Sequence, residues 1–172
     1  MINYDLSKIR ALCFDVDGVL SMDTVQTDAE GLLLRTVNNK DGYALQLAVR
    51  SGLHVAIITG GRSETIRRHY EMLGITDVML AQAHKTEALA DVLQRYNLHP
   101  ESVLYMGDDI PDYEVMQQVG LPCCPADAAA EIRGISRYVS HRNGGCGCVR
   151  DVVEQVLKAQ GKWMADAEAF RW

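Results

Sequence analysis

No stretch of the chain approaches the ~20 consecutive apolar residues that a membrane-crossing helix requires, so no membrane partner is expected. Positive charge is also scarce: 17 Lys and Arg stand against 23 Asp and Glu, a formal net charge of −6. That balance argues against nonspecific nucleic-acid binding, which needs a basic face to displace counterions. The amino end lacks the basic-then-apolar layout of a secretory signal, so the cytoplasm is the expected compartment. None of the five cysteines stands in the Cys-x2-Cys spacing of common zinc sites. Cys13, inside an apolar run, counts as a small hydrophobe, and free thiols are expected at Cys123, Cys124, Cys146 and Cys148. Neither Gly-x-Gly-x-x-Gly nor the P-loop pattern occurs, which weakens nucleotide binding through Gly60-Gly61.

At 172 residues the chain has room for one domain with a real core and not for two comfortable ones. Apolar bursts at residues 10–14, 53–58, 77–80, 102–106, 121–124 and 138–139 read as short strands. Their continuous apolar character suits a parallel sheet covered on both faces. Between them, residues 41–50, 63–73, 85–96, 111–119, 127–134 and 148–160 carry apolar side chains at helical intervals. Ser63 and Pro111 suit helix starts, and Gly52, Gly74 and Gly120 suit left-handed helix ends. The alternation predicts an α/β fold, a doubly wound, mostly parallel, Rossmann-like sheet that binds ligands at the carboxyl ends of its strands. Residues 21–40 break the alternation and read as a β-hairpin with an acidic, glycine-ended turn. The hairpin follows the first strand directly and is placed to arch over its tip as a flap. The expected organisation is a single domain over residues 1–160, with this flap, and a tail over 161–172.

Four motifs fall at the same rim. Asp15-Val16-Asp17-Gly18 leaves the first strand, and two carboxylates so close ask for a bound cation, or for a nucleophile beside a proton donor. The same letters also fit an ordinary strand-to-loop turn. Thr59-Gly60-Gly61-Arg62-Ser63 offers a hydroxyl, backbone amides and a helix start, the parts of an anion cradle. Lys85 opens a helix, where a cation opposes the macrodipole. Gly107-Asp108-Asp109-Ile110-Pro111-Asp112 brings three more carboxylates to a strand tip.

The order Asp-x-Asp-Gly, Thr-Gly, Lys, Gly-Asp-Asp-x-x-Asp resembles the haloacid dehalogenase superfamily of phosphotransferases over nearly the whole chain. The resemblance implies Asp15 as nucleophile and Asp17 as general acid/base, with Thr59 and Lys85 holding the transferring phosphoryl group. It implies Mg²⁺ held by Asp15, Asp108 and the backbone carbonyl of Asp17, with Asp112 and Asp109 steadying that shell from behind. The chemistry is consistent. An aspartate attacks phosphorus without losing a proton near neutral pH, and a second carboxyl nearby can give and take the proton.

Only about twenty residues separate the first motif from its helix, and residues 73–85 leave no room for an inserted domain, so no cap domain is expected. Asp-Gly-Val-Leu at 17–20, Asn38-Asn39-Lys40-Asp41-Gly42-Tyr43 and Gly144-Gly145-Cys146-Gly147-Cys148-Val149-Arg150 resemble the 3-deoxy-D-manno-octulosonate 8-phosphate phosphatases. That implies a phosphorylated sugar-acid substrate and a homotetramer whose neighbouring subunits supply the missing cover. Lys40 and Asp41 would meet the sugar, beside Gly60, and Arg62, Arg67 and Arg68 are candidates for the substrate carboxylate. The chain departs from the family in having Gly61 where Arg is usual, and Ser21-Met22-Asp23 where Thr-Asp-Gly is usual. A phosphatase of a nine-carbon 2-keto-3-deoxy acid 9-phosphate is the nearest alternative reading. A non-catalytic oligomerisation module of a sugar-activating enzyme is the alternative of another class. Trp163, Phe170 and Trp172 are costly aromatics to leave in water, so the tail reads either as a frayed helix extension or as a segment reaching an adjacent active site.

Overall fold

The computed structural model describes residues 1–171. The apolar run before the first aspartates forms β1 (Ala11–Phe14), followed by a hairpin of β2 (Gln26–Thr27) and β3 (Leu33–Leu34). Then come α1 (Asn39–Arg50), β4 (His54–Ile58), α2 (Glu64–Met72), β5 (Asp77–Met79) and α3 (Lys85–Tyr96). β6 (Val103–Met106), α4 (Tyr113–Met116), β7 (Leu121–Cys124), α5 (Ala130–Ile135), β8 (Tyr138–Val139) and α6 (Cys148–Ala159) complete the regular elements. Six strands pair in parallel in the order β5-β4-β1-β6-β7-β8. The chain first winds outward from β1 through β4 to β5, then returns past β1 to start the other half at β6. That reversal opens a crevice between the carboxyl ends of β1 and β6.

The central strands β1, β6 and β7 are buried throughout because both faces are covered, whereas the edge strands carry Asp77 and the exposed Val139. Leu12, Phe14, Val55, Ile57, Leu104 and Met106 pack toward the side of α1, α2 and α6. Ala11, Cys13, Ala56, Ile58, Val103 and Tyr105 face α3, α4 and α5. Gly52 and Gly74 end their helices in the left-handed region, at φ +81° and +86°, as their positions predict. Gly120 does not adopt positive φ; it is glycine because a β-carbon there would collide with Glu101 and the Tyr4 hydroxyl.

Two helices are shorter than their patterns predict. The segment expected as a helix over 111–119 is a 3-10 turn, Ile110–Asp112, with Pro111 in it, followed by the four residues of α4. It folds back tightly enough that Asp112 packs over Gly107. α5 begins at Ala130, since the Asp127 carboxylate accepts from the Gly144 N–H at 2.9 Å instead of starting the helix. The hairpin pairs only Gln26 with Leu34 and Thr27 with Leu33. In its turn the Asp28 carboxylate accepts from the Glu30 and Leu32 amides. All five cysteines are free thiols, with only Cys146 exposed.

The described part of the tail neither extends α6 nor leaves the domain. It reverses at Gly161, and Trp163 meets the Tyr43 ring edge-on with the Arg150 guanidinium 4.4 Å from the Trp163 ring centre. The Tyr43 hydroxyl donates to the Ala169 carbonyl, and Phe170 is exposed. Trp172, grouped with these aromatics by its chemistry, lies outside the described residues.

Asp41 corrects an expectation. It is 1% exposed, and its Oδ1 accepts from the Arg150 N–H at 2.6 Å, near the amino end of α6. A carboxylate there satisfies an orphan helix donor and favours the positive end of the helix. Burial pushes its pKa up to about 6 against the pull of that hydrogen bond. Asp41→Ala is expected to cost about 1–3 kcal/mol of unfolding free energy, measured by urea denaturation. An unchanged midpoint would remove the capping role.

Candidate active site

β1 and β6 lie side by side with Phe14 opposite Met106, so the residues that follow each strand emerge together. The Asp15 N–H donates to the Met106 carbonyl at 3.1 Å, continuing the pairing one residue beyond the strand. Gly18 has φ +79°, and any β-carbon there would overlap the Asp108 carboxylate. Glycine thus serves both the turn and the close approach of the two aspartate motifs. Carboxylate oxygens of Asp15, Asp108 and Asp112 lie within 4.8 Å of one another.

Lys85 stands among these acids. Its Nζ is 3.0 Å from Asp15 Oδ1 and 2.7 Å from Asp112 Oδ1, with all three side chains largely shielded. Burial pulls the Lys85 ammonium down, but the two carboxylates outweigh it and hold its pKa above the ordinary value. Burial and the charge of Asp112 push Asp15 up to about 7, despite Lys85. Burial and the charges of Asp15 and Asp112 push Asp108 up to about 8. Clustered oxygen donors that repel in this way suit a hard divalent cation.

Asp112 is 1% exposed and fully engaged. Its Oδ1 also accepts from the Tyr105 hydroxyl at 2.8 Å, and its Oδ2 from the Asp108 N–H at 3.4 Å. Tyr105 escaped the sequence reading because it sits in mid-strand as one more apolar-run residue. The alternation of faces directs it to the side where the 110–112 turn returns.

Opposite, Thr59 is buried, and its Oγ1 accepts from the Gly61 N–H at 3.0 Å. The loop after β5 is stitched to this one, Ala81 N–H donating to Gly61 O at 2.8 Å and Gln82 N–H to Thr59 O at 3.0 Å. A cavity of about 370 Å³ is lined by Asp15, Asp17, Asp23, Thr59, Gly60, Gly61, Gln82, Ala83, Lys85, Asp108, Asp109, Pro111 and Asp112. Asp17 is held from the flap side by Arg35, Nε to Oδ1 at 2.7 Å and Nη2 to Oδ2 at 2.9 Å. Arg35 was also missed, though a lone charge in the apolar arm of a hairpin beside two aspartates was its available signal.

Other expected contacts fall outside this cavity. Asp41 caps α6, as above, and Lys40 is exposed at the start of α1. Arg67 pairs with Glu64 and donates to the Val78 carbonyl at 2.7 Å, so it is committed within the domain. Arg62 and Arg68 are exposed and not among the lining residues.

The chain has relatives among known proteins over most of its length. A family model of haloacid dehalogenase-like hydrolases matches residues 72–150. The 3-deoxy-D-manno-octulosonate 8-phosphate phosphatase of Salmonella typhi is 40% identical over 154 residues, 90% of this chain and 82% of the relative. The crystal structure of the Moraxella catarrhalis phosphatase of the same name, in complex with magnesium ion, phosphate ion and KDO, matches with a TM-score of 0.91 and 31% identity, covering 97% of this chain and 96% of that one. The cobalt-bound form of the Haemophilus influenzae deoxy-D-mannose-octulosonate 8-phosphate phosphatase matches at TM-score 0.90 and 28% identity, over 96% of this chain and 98% of that one.

The crowded acids give the fold a pH dependence. Asp15 and Asp108 release their protons near 7 and 8 when folded, against an ordinary value of 3.8, so across that interval the folded state holds more protons than the unfolded one. Stability of the metal-free protein is therefore expected to fall as pH rises through this window. A divalent cation should raise the melting temperature more at pH 8 than at pH 5. Equal cation-induced shifts at both pH values, in differential scanning calorimetry, would contradict the assignment.

Proposed function

The chain belongs to the 3-deoxy-D-manno-octulosonate 8-phosphate phosphatases among the haloacid dehalogenase-like hydrolases, and from that premise we propose how its residues carry out the reaction. The enzyme is a Mg²⁺-dependent phosphoric monoester hydrolase that releases phosphate and the free sugar acid from 3-deoxy-D-manno-octulosonate 8-phosphate by way of an aspartyl phosphate. The observation that carries the residue assignment is the gathering of Asp15, Asp108 and Asp112 within 4.8 Å, with Lys85 between Asp15 and Asp112.

Asp15 is the nucleophile, buried at the base of the cavity and oriented by Lys85. Asp15, Asp108 and the Asp17 backbone carbonyl would hold Mg²⁺, which would supply positive charge that keeps the carboxylates ionised and offsets that of the phosphoryl oxygens. Lys85, the Thr59 hydroxyl and the amides of the Gly60-Gly61 turn take the phosphoryl oxygens. Asp17 protonates the departing sugar oxygen and then accepts a proton from the water that hydrolyses the aspartyl phosphate. Asp112 locks Lys85 and the Asp108 backbone in place, and Asp109 stands at the rim.

A homotetramer in the cytoplasm completes the proposal. The flap leaves Leu32, Leu33, Leu34 and Val37 between 45% and 65% exposed, an apolar arm that suits contact with another subunit. The five free thiols suit a reducing compartment.

Asp15→Asn is expected to lower Mg²⁺-dependent phosphate release by at least about a thousandfold while the melting profile stays cooperative. Appreciable turnover by the clean variant would reject the nucleophile. Replacing Leu33 and Leu34 together with Asp is expected to lower the mass found by light scattering; an unchanged mass would take the flap out of the subunit contact.

A further inference from the structure

The flap exposes most of its side chains but turns one inward. Leu33 and Leu34 are 48% and 52% exposed, whereas the Arg35 side chain is 6% exposed. Its fork occupies both oxygens of Asp17. The same guanidinium reaches the edge of the Thr59-Gly60-Gly61 loop. Nη2 lies 3.1 Å from the point where a β-carbon at 61 would sit, and Thr59 Oγ1 lies 3.3 Å from that point. Any side chain at 61 would intrude between the arginine and the threonine hydroxyl. Lys85 is the one cation among the described residues lining the cavity, against five lining aspartates besides Asp17. A guanidinium fork that fits a carboxylate also fits phosphoryl oxygens.

We propose that Arg35 is a phosphoryl ligand carried by the flap. When substrate binds, the guanidinium passes from Asp17 to a phosphoryl oxygen seated in the 59–61 loop. The exchange draws the hairpin over the substrate and releases the Asp17 carboxyl for proton transfer. Flap closure and readiness of the acid/base group thus become one event. This inference rests on the roles assigned above to Asp17 and to the 59–61 loop.

The test is inorganic phosphate binding to the Mg²⁺-loaded protein by calorimetry, for wild type, Arg35→Ala and Arg35→Lys, with melting curves to verify folding. Arg35→Ala should weaken phosphate binding by about tenfold or more, and Arg35→Lys by less. kcat/KM should fall by the same factor for p-nitrophenyl phosphate and phenyl phosphate, which share a phosphoryl group but differ in how much the leaving group needs a proton. Unchanged phosphate affinity in Arg35→Ala overturns the proposal. So does a loss confined to phenyl phosphate, which would make Arg35 a holder of Asp17 alone. A wild-type protein that binds no phosphate with Mg²⁺ would instead reject the underlying reading of the site.

Discussion

Buried like charges held close together are the central constraint on this molecule. Asp15, Asp108 and Asp112 repel across less than 5 Å, in surroundings that strip them of most of their water. Lys85 offsets part of that repulsion, and the Asp112 carboxylate is further held by the Tyr105 hydroxyl and the Asp108 N–H. What remains is a deficit of positive charge at one point, and that deficit defines the chemistry of the site. A cation and a phosphoryl group together restore the balance, since the phosphoryl group brings anionic oxygens and the cation supplies the charge to hold them.

Holding repelling groups together requires a stiff frame, and the glycine-rich loop before α6 provides it. Gly144 packs so closely on the Gly18 carbonyl that any β-carbon would overlap it. The Gly145 N–H donates to the Val19 carbonyl at 2.8 Å, and the Gly145 carbonyl accepts from Asn38 Nδ2 at 3.1 Å. One short loop therefore braces the aspartate turn and the far end of the flap. Asp41 ties that region to the amino end of α6. The roots of the hairpin are thereby tied to the turn that carries the nucleophile.

Small substrates need cover, and among the described residues the flap is a two-residue pair of strands. Leu33 and Leu34 of the flap are 48% and 52% exposed, whereas the Arg35 side chain is shielded against Asp17.

The central strands were legible because each is a nearly continuous apolar run, as parallel strands buried on both faces must be, while the short edge strands β5 and β8 carry Asp77 and the exposed Val139. The motif residues Asp15, Asp17, Thr59, Lys85 and Asp108 were legible because each stands just past an apolar run or at a helix start, where an α/β sheet binds its ligands. Tertiary structure alone decided which of the remaining polar residues face the cavity. Asp41 is bound to a residue 109 positions away, and Tyr105 acts through a turn whose path depends on how α4 returns to the sheet. Arg35 stands out in sequence only as a lone charge in the apolar arm of the hairpin, and its pairing with Asp17 is set by how the flap packs. Periodicity reports the face a residue takes on its own element, but a side chain's partner depends on packing between elements distant in the chain, and no local pattern encodes that.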